Sequence, residues 1–340
     1  MTKVMEITVS VTTAGLVWRP FDVAHDYPAL VELMNVCNEA DGIESIETLD
    51  GITNSINHMT GFNPATDMLV VQAVDQIIGY GRTWNWVNDV GECIYGIHGN
   101  VHPAWRGKGL GRAILSWQEQ RAREIATPHS TSEPRFLQAF VHNIDKQYAT
   151  LHLLEHAGYT TIRYGFMMVR ENLDDIPDLP LPHGLEVRPV RPEHLRCIWD
   201  ALNEAFRDHW GHRESTEADY ERFVNEYDQQ LHLWQVAWDT ETNEVAGMVL
   251  NEITAYENEC FHEKRGWTDP ICVRRPWRRR GLARALIMRS LRVLREQGMT
   301  EAALGVDAQN PNKAMHLYER CGYRPVIKSY TMRKEQRIGE

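Results

Sequence analysis

A fourteen-residue segment occurs twice in this chain, and the repeat constrains the fold more than any other feature. Residues 273–286 and 101–114 align without a gap and share Val, Trp, Arg, Gly, Leu, Arg and Ala at matching places. A second echo lies downstream of each copy, where residues 152–159 parallel residues 316–323. Two echoes in the same order indicate a duplicated domain and not a short-period solenoid.

Each copy of the repeat predicts a strand, a turn of small residues and then a helix. In the second copy the apolar residues have helical spacing, at Leu282, Leu286, Ile287, Leu291 and Leu294. A helix that starts on small residues presents unpaired N–H groups and a positive dipole end to an anion. The repeat therefore predicts a cradle for a phosphorylated ligand. A dinucleotide fingerprint fails in the first copy, because Arg112 replaces its third glycine.

Together these residues resemble the GCN5-related N-acetyltransferase (GNAT) family. The resemblance rests on Arg-x-x-Gly-x-Gly/Ala after a strand, on Asn310, and on Leu317-Tyr318-Glu319 followed by Gly322-Tyr323. It covers nearly the whole chain as two copies, like the tandem-domain members typified by mycothiol synthase. It implies an α/β fold of two tandem GNAT (acyl-CoA N-acyltransferase) domains, each a mixed central sheet with helices on both faces.

The repeat divides the chain into two domains of ordinary size. We expect an N-terminal domain over residues 1–170, a linker over 171–184 and a C-terminal domain over 185–340. The linker segment has three prolines, three aspartates and no apolar period. Residues 68–74 and 76–86 are predicted to pair as strands, and the polar run 257–265 is predicted to be a loop.

The resemblance implies acetyl-CoA as the cosubstrate. Its pantetheine arm is expected to pair with the end of the strand before each repeat, and its pyrophosphate is expected to meet the backbone of the turn. In the C-terminal copy the predicted contacts are Ile271, Cys272, Val273, Arg278, Arg279, Arg280, Gly281, Leu282, Ala283, Arg284 and Asn310. In the N-terminal copy they are Gly99, Asn100, Val101, Arg106, Gly107, Lys108, Gly109, Leu110, Gly111 and Arg112.

The resemblance also implies a general acid. Tyr318 matches the tyrosine that the family uses to protonate the departing thiolate, and a phenol can donate that proton. The first copy has Leu154 at this place, and leucine has no proton to donate. Tyr148 is an alternative donor there. We therefore expect the C-terminal domain to be catalytic and the N-terminal domain to be catalytically degenerate.

The sequence offers three candidates for the general base. An amine must lose a proton before it attacks a thioester, and a carboxylate can accept it. Asp269 lies on the strand before the repeat, where family members often place an acid, and Glu252 and Glu259 are rivals. The residues expected to line the acceptor site are Asp208, His209 and Trp210.

Composition limits the partners. The net charge of −11 argues against a nucleic-acid binder. Seven arginines nevertheless fall between Arg274 and Arg289, and we attribute them to a phosphate-rich ligand.

Residues 152–156 fit the zinc pattern H-x-x-E-H, but the echo at 316–320 lacks its second histidine, so no metal is expected. No apolar run is long enough to span a bilayer, and we expect a cytoplasmic monomer or homodimer.

These observations predict an acetyl-CoA-dependent N-acetyltransferase. A primary amine on a small molecule or peptide would attack the thioester directly in a ternary complex. The acidic net charge mildly favours a cationic acceptor. The alternative is a non-catalytic acyl-CoA-binding or regulatory protein, which would bind coenzyme A and acetylate no amine.

Overall fold

A computed structural model of the chain describes residues 15–127, 133–310 and 313–336. The chain divides into two compact units. The first unit comprises Met1–Ile162 together with Tyr330–Glu340, and the second comprises Arg163–Ser329. In each unit, helices cover both faces of the strands. The predicted α/β architecture with two copies of one fold is thus confirmed.

The first unit follows the order that its sequence predicts. Its elements are β1 (Leu16–Pro20), α1 (Tyr27–Ala40), α2 (Leu49–Asn57), α3 (Pro64–Asp67), β2 (Met68–Ala73), β3 (Gln76–Val87), β4 (Cys93–Val101), α4 (Leu110–Ala126), β5 (Arg135–Val141) and α5 (Tyr148–His156). Helices α1 and α2 pack on one face of its sheet, and α4 and α5 pack on the other. The predicted pairing of β2 with β3 is present.

The second unit repeats this order. Its elements are β6 (Thr160–Arg170), β7 (Leu185–Val187), α6 (Leu195–Phe206), α7 (Glu217–Tyr227), β8 (Gln235–Asp239), β9 (Val245–Glu252), α8 (Ala255–Phe261), β10 (Arg265–Val273), α9 (Leu282–Glu296), β11 (Glu301–Asp307), α10 (Ala314–Arg320) and β12 (Arg324–Glu335). Strands β6 and β12 cross the unit boundaries, so that β6 belongs to the second unit from residue 163 and β12 belongs to it up to residue 329. Helices α6 and α7 cover one face, and α9 and α10 cover the other.

The last strand of each sheet comes from the other half of the chain. Residues 330–335 of β12 pair with β5 in the first unit, which has the strand order β1-β2-β3-β4-β5-β12. Residues 165–170 of β6 pair with β11 in the second unit, which has the order β6-β11-β10-β9-β8-β7. The compact units therefore differ from the predicted boundaries at 170 and 185. The reason is that the repeat alone does not show which sheet a terminal strand joins.

The segment predicted as a linker, residues 171–184, has no helix or strand but is held against α9. Leu173 is 2 % exposed and belongs to the core beneath that helix. Arg292 donates a hydrogen bond to the Pro177 carbonyl at 2.6 Å, and it pairs with Asp178 at 2.8 Å. This segment is therefore packed along much of its length.

One sequence prediction of secondary structure is wrong. The polar run 257–265 was expected to be a loop, but α8 occupies residues 255–261. Its C-terminal carbonyls are capped by His262 in the left-handed conformation, with φ of 57°. The helix buries no residue, so its sequence lacks the apolar period by which helices are recognised.

In both sheets the central parallel pair of strands separates partway along. Strand β4 pairs with β5 only over residues 93–96, and β10 pairs with β11 only over residues 265–267. Beyond those pairs the backbones of β4 and β10 lack a neighbouring strand on that side, among the residues that the structure describes. Each unit therefore has a wedge-shaped gap, which we call the splay, beside the repeated segment.

The two splays differ by a bulge. In β10 the register against β9 shifts between Thr268 and Ile271, so that Asp269 and Pro270 together lie opposite one residue of β9. Strand β4 pairs with β3 over its whole length without such a shift. A bulge re-aims a side chain locally. Of the two units, only the second thus turns a side chain out of the regular alternation at its splay.

Candidate active site

The turn before each long helix has the geometry that an anion requires. Helix α9 begins after Gly281, which has φ of 87°, and α4 begins after Gly109, with φ of 85°. A Cβ added at Gly281 in the second turn, or at Gly107 in the first, would meet no atom within 4 Å, so the space above the turns is open. The first N–H groups of α9 have no partner within the helix. This arrangement fits a diphosphate.

The position before that glycine shows how the two copies diverged. Gly107 of the first turn has φ of 75°, and Arg279 adopts φ of 60° at the matching place. Left-handed backbone costs a residue with a Cβ roughly 1 kcal/mol or more. The side chain of Arg279 is exposed and is placed to contribute charge above the turn.

The arginine that starts each turn is a structural brace. Arg278 bonds Asp208 at 2.7 Å and donates to the Val273 carbonyl at 2.9 Å. Arg106 makes the same two contacts, with Asp41 at 2.5 Å and with the Val101 carbonyl at 3.0 Å. These guanidinium groups hold each turn against the residues that follow α1 or α6. An acyl-CoA donor would therefore meet the backbone of these arginines and not their side chains.

The interpretation of the arginine cluster as a whole is corrected by these contacts. Four of its seven members bond within the protein: Arg274 to Glu204, Arg275 and Arg278 to Asp208, and Arg280 to the His183 carbonyl. Their partners are distant in sequence, so composition could not reveal them. Arg279 and Arg284 are the members of the turn for which no such bond is found in the described part of the chain.

In the first turn, Lys108 has a similar internal role. Its Nζ donates to the Ala104 carbonyl at 3.1 Å and lies 4.5 Å from the centroid of the Trp105 ring. These contacts hold the ammonium group near the turn. Because the group is also exposed to solvent, it can attract an anion there.

Asp269 lies on the bulge of β10, at the splay. Its Oδ2 accepts a hydrogen bond from the Gly305 N–H of β11 at 3.2 Å. Removal from water raises the pKa of Asp269 to about 6, against the smaller lowering effect of that N–H. A carboxylate with such a pKa is ionised at neutral pH and binds a proton more readily than an ordinary aspartate.

Gly305 is a site residue that the sequence analysis missed. A Cβ at this position would lie 3.2 Å from Asp269 Oδ2, which is a crowded contact. The corresponding residue of β5 is Phe140, since Gln138 and Ala303 are the last parallel partners of β4 and β10. Glycine at this place therefore makes room for the carboxylate in the second unit alone.

Tyr318 lies in α10 and is 7 % exposed. Burial raises its pKa, and the negative charge of Asp269 adds to the rise, so the phenol keeps its proton over the physiological range. A buried, protonated phenol beside the splay is placed to donate a proton there.

The first unit has leucine at the equivalent place. The Tyr318 carbonyl accepts the N–H of Tyr323 at 3.0 Å, and the Leu154 carbonyl accepts the N–H of Tyr159 at the same distance. Leu154 is 3 % exposed and packs in the apolar core. Tyr148, the alternative donor, is 64 % exposed at the start of α5. It lies six residues before Leu154 in the chain, on a different turn of the helix.

A buried hydroxyl pair fixes the strand next to the bulge. The Tyr323 hydroxyl lies 2.7 Å from Thr268 Oγ1, and Thr268 donates to the Ala303 carbonyl of β11 at 3.2 Å. Both side chains are fully buried. The pair ties β10 to β11 immediately before they separate, and so it defines where the splay begins.

The sequence model of the Acetyltransferase (GNAT) family matches residues 29–131 and 196–323. Those two matches cover more than half of the chain. The chain belongs to the GNAT acetyltransferase family. Family membership makes the protein an N-acetyltransferase-type enzyme, as the motifs predicted, and the family uses acyl-CoA donors.

Relatives of this GNAT protein include two-domain enzymes. The mycothiol acetyltransferase of Salinispora tropica is 29 % identical over 245 residues, which are 67 % of this chain and 69 % of the relative. The mycothiol acetyltransferase of Salinispora arenicola is 26 % identical over 317 residues, 88 % of this chain and 91 % of the relative. The predicted resemblance to tandem GNAT enzymes is thus confirmed.

Solved structures agree on the fold. A GCN5-related N-acetyltransferase from Sphaerobacter thermophilus superposes with a TM-score of 0.70 at 26 % identity, over 96 % of this chain and 98 % of that one. A tandem GNAT protein from the clavulanic acid biosynthesis pathway has a TM-score of 0.65 at 16 % identity, over 96 % and 100 % of the chains. The second likeness concerns the fold alone.

The predicted acceptor residues of the GNAT chain lie close together after α6. Asp208 is engaged by Arg275 and Arg278, so its carboxylate already has partners. His209 packs on Phe206 with ring centroids 4.3 Å apart, and burial lowers its pKa. Trp210 is 38 % exposed. Their role in acceptor binding stays a prediction, and Trp210 is the best placed of the three.

A further pair beside Trp210 was missed because its members are far apart in sequence. Arg163 bonds Asp307 at 2.5 Å, and its Cζ lies 5.0 Å from the centroid of the Trp210 ring. Asp307 ends β11, two residues after Gly305, and so it lies on the same face of the sheet. Together these residues border the acceptor side of the splay.

The rival bases differ in their surroundings. Glu252 ends β9, and burial together with Glu226 and Glu257 raises its pKa to about 7. Glu259 lies exposed on α8.

Asn310 follows β11, where its N–H bonds the Asp307 carbonyl at 3.1 Å. In the described residues, no group of three or more His, Cys, Asp and Glu side chains is arranged to hold a metal ion.

No helix within the described part of the chain combines the length and the apolar character needed to cross a membrane. The six cysteines, which include buried Cys272 and Cys321, are all free thiols.

Proposed function

We propose that this GNAT enzyme transfers an acetyl group from acetyl-CoA to a primary amine on a small molecule or peptide, and that the second unit performs the transfer. The observation that carries the proposal is the combination of Asp269 and Tyr318 beside one splay. One group is a carboxylate whose raised pKa suits a base. The other is a phenol that stays protonated.

The residues beside the second splay fit the proposed donor. Acetyl-CoA supplies the acyl group as a thioester. The backbone of residues 278–284 would hold its pyrophosphate, because the start of α9 offers unpaired N–H groups and open space. The unpaired edge of β10 at residues 271–273 would pair with its extended arm. Arg279, Arg280 and Arg284 would contribute charge, and Asn310 lies at the far side of the same region.

Asp269 would accept the proton of the attacking amine, directly or through one water. Its bulge turns it towards Gly305, on the face of the sheet that α6 and α7 cover. That face also carries Asp307 and borders Trp210. An ammonium group would approach a negatively charged wall, so a cationic acceptor is favoured.

Tyr318 would protonate the sulfur as the carbon–sulfur bond breaks. It lies on α10, on the face opposite α6 and α7. The acid and the base would therefore reach the reacting atoms from opposite faces of the sheet. This arrangement fits direct attack in a ternary complex, because no side chain is needed to carry the acyl group.

The first unit would contribute a turn shaped to bind acyl-CoA but would lack the acid and the base needed for acyl transfer. Gly107 and Gly109 reproduce the turn geometry, and residues 99–112 remain candidates for donor binding. Leu154 replaces the acid, and His98 occupies the place of the bulge.

An acceptor screen tests the proposal. Purified protein would be mixed with acetyl-CoA and a panel of amines, and thiol release would be followed by a colorimetric reagent. The panel would contain diamines, amino sugars, cysteinyl amines and lysine peptides, each with its N-acetylated form as the matched control. We expect release with at least one free amine and none with its blocked form. Tight coenzyme A binding by calorimetry without any turnover would favour the non-catalytic alternative instead.

A further inference from the structure

Arg82 of the first unit is a half-buried arginine without a counter-ion. It lies on β3, and in the residues that the structure describes no carboxylate makes an ion pair with it and no acceptor bonds its guanidinium. Its Nε is inaccessible to solvent and has no hydrogen-bond partner. A buried polar N–H group without a hydrogen-bond partner is costly. Retaining such a group suggests that a ligand supplies the missing anion.

The neighbours of Arg82 are donors and aromatic rings. Its Cζ lies 5.4 Å from the centroid of the Trp84 ring, and Trp86 stacks on Trp84 with centroids 6.2 Å apart. On the facing strand, residue 98 lies directly opposite Arg82 in the register of β3 and β4. Side chains two apart on one strand share a face of the sheet, so the floor of this region is an indole surface.

His98 adds a neutral donor. Its Nδ1 lies 2.8 Å from the hydroxyl of buried Tyr80. Burial, with the positive charges of Arg82 and His142, holds the pKa of His98 well below its ordinary value. When the Tyr80 hydroxyl donates to Nδ1, the ring proton resides on Nε2, which then faces the same space as the guanidinium.

The splay opens this region to solvent. The ring centroids of His98 and His142 lie 6.4 Å apart across the gap between β4 and β5. Phe140, also on β5, is 43 % exposed and lies 6.5 Å from His142. The cluster is therefore an accessible surface that combines one half-buried cation with aromatic side chains, which is a common composition of small-molecule sites.

The same two positions in the second unit carry an apolar and an acidic side chain. Gly79 pairs with Val101 and Gly247 pairs with Val273. Counting from these glycines, Arg82 corresponds to Leu250 and Trp84 to Glu252. The duplicated faces are thus cationic and aromatic in the first unit, and acidic in the second. The first face is therefore unsuited to the cationic amine that we propose for the second.

We propose that the first unit binds a small aromatic or apolar carboxylate on the face that α1 and α2 cover. Arg82 forms a two-pronged bond with the carboxylate, His98 donates to one of its oxygens, and the apolar body lies on Trp84 and against Phe140. One guanidinium balances one negative charge, which favours a monocarboxylate over a phosphate. This site is independent of acetyl transfer.

Binding of benzoate to the full-length protein tests the proposal. It is measured by calorimetry and by the fluorescence of the indoles, with benzyl alcohol as an uncharged ligand of similar shape and inorganic phosphate as a second anion. We expect saturable benzoate binding and no binding of benzyl alcohol. Arg82→Gln should weaken benzoate binding ~10- to 100-fold, the loss typical of a charge-assisted hydrogen bond. Trp84→Leu should weaken it by a smaller factor.

Arg188 provides a matched control. Its Cζ also lies 5.4 Å from an indole, that of Trp238, but it pairs with Glu186 at 2.6 Å. Arg188→Gln should leave benzoate binding unchanged. Arg82→Gln should leave the melting temperature unchanged or raise it, because it removes an uncompensated charge.

Several outcomes would overturn the proposal. One is the absence of saturable benzoate binding to the wild-type protein, and another is an equal effect of the two arginine substitutions. Phosphate that displaces benzoate at equal concentration would contradict the assignment to a carboxylate. A fall in melting temperature in Arg82→Gln would show that Arg82 holds the fold instead. Because acetyl transfer is not measured, failure here leaves the proposed function of the second unit untouched.

Discussion

The two units share one fold and one glycine-containing turn before the long helix, but their splays have diverged. The second unit has a bulge with Asp269, a glycine at residue 305 and a buried tyrosine at residue 318. The first unit has an unbroken strand, Phe140 and Leu154 at the corresponding places. The difference shows that, after duplication, the backbone of the turn was retained while the side chains beside the splay changed.

The braces of the turns changed least. Arg106 with Asp41 and Arg278 with Asp208 make matching contacts in the two units. A brace is needed wherever the turn must keep its shape, whereas an acid and a base are needed only where bonds are broken. Retention of both braces therefore indicates that both turns keep their geometry.

The largest effect is expected from Tyr318→Phe. Loss of the general acid should lower kcat by ~10²- to 10³-fold, with a smaller change in the KM for acetyl-CoA. Steady-state thiol release measures both. Tyr148→Phe in the first unit is the matched control and should have no effect. If Tyr148→Phe abolished activity and Tyr318→Phe did not, the assignment of the catalytic unit would be reversed.

Gly305→Ala is expected to have an intermediate effect. The new Cβ would lie 3.2 Å from Asp269 Oδ2 and would push the carboxylate aside. A displacement of part of an ångström should lower kcat about tenfold, with donor binding unchanged. Phe140→Ala opens the corresponding place in the first unit and should leave kcat as it is. Equal activity of Gly305→Ala and the wild-type enzyme would show that catalysis does not depend on the space that Gly305 leaves for Asp269.

The turns can be compared through their glycines. Gly281→Ala forces a Cβ into left-handed backbone, which costs about 1 kcal/mol and should raise the KM for acetyl-CoA about fivefold. Gly109→Ala makes the same change in the first turn. It should leave kcat and KM unchanged, because turnover takes place in the second unit. A rise in KM with Gly109→Ala alone would place the productive donor in the first unit.

The braces should differ modestly in their contribution to stability. The Asp41 side chain is 6 % exposed, and that of Asp208 is 25 % exposed. Asp41→Asn should therefore lower the free energy of unfolding by roughly 2–3 kcal/mol, since the buried carboxylate accepts hydrogen bonds from both Arg106 and Gln147. Solvent screens Asp208, so Asp208→Asn should cost about 1 kcal/mol or less. Chemical denaturation of both variants measures the difference, and a larger loss in Asp208→Asn would contradict it.

Much of the fold was predictable because the repeat carries its own signal. The turn glycines, the helices after them and the Tyr318 echo all follow from residues that are close in sequence. Helix α8 was missed because it has no apolar side. The exchanged strands were missed because pairing such as that of β12 with β5 joins residues that are remote along the chain.

The site was predictable in its motifs but not in its electrostatics. Asp208 was assigned to acceptor binding, and its arginine partners became visible only in the folded chain. The need for a glycine at residue 305 depends on a contact across the splay from Asp269. The unpaired Arg82 is evident only when all its neighbours are known.

The pH dependence of kcat/KM for Asp269→Asn tests the central claim most directly. In the wild-type enzyme the carboxylate must be ionised to accept a proton, so activity should fall as the pH falls through about 6. In Asp269→Asn this acidic fall in kcat/KM should disappear, and the maximal kcat/KM should drop by ~10²-fold. Glu252→Gln should keep the acidic fall. A wild-type-like profile in Asp269→Asn would contradict the assignment of proton transfer to the bulge of the second unit.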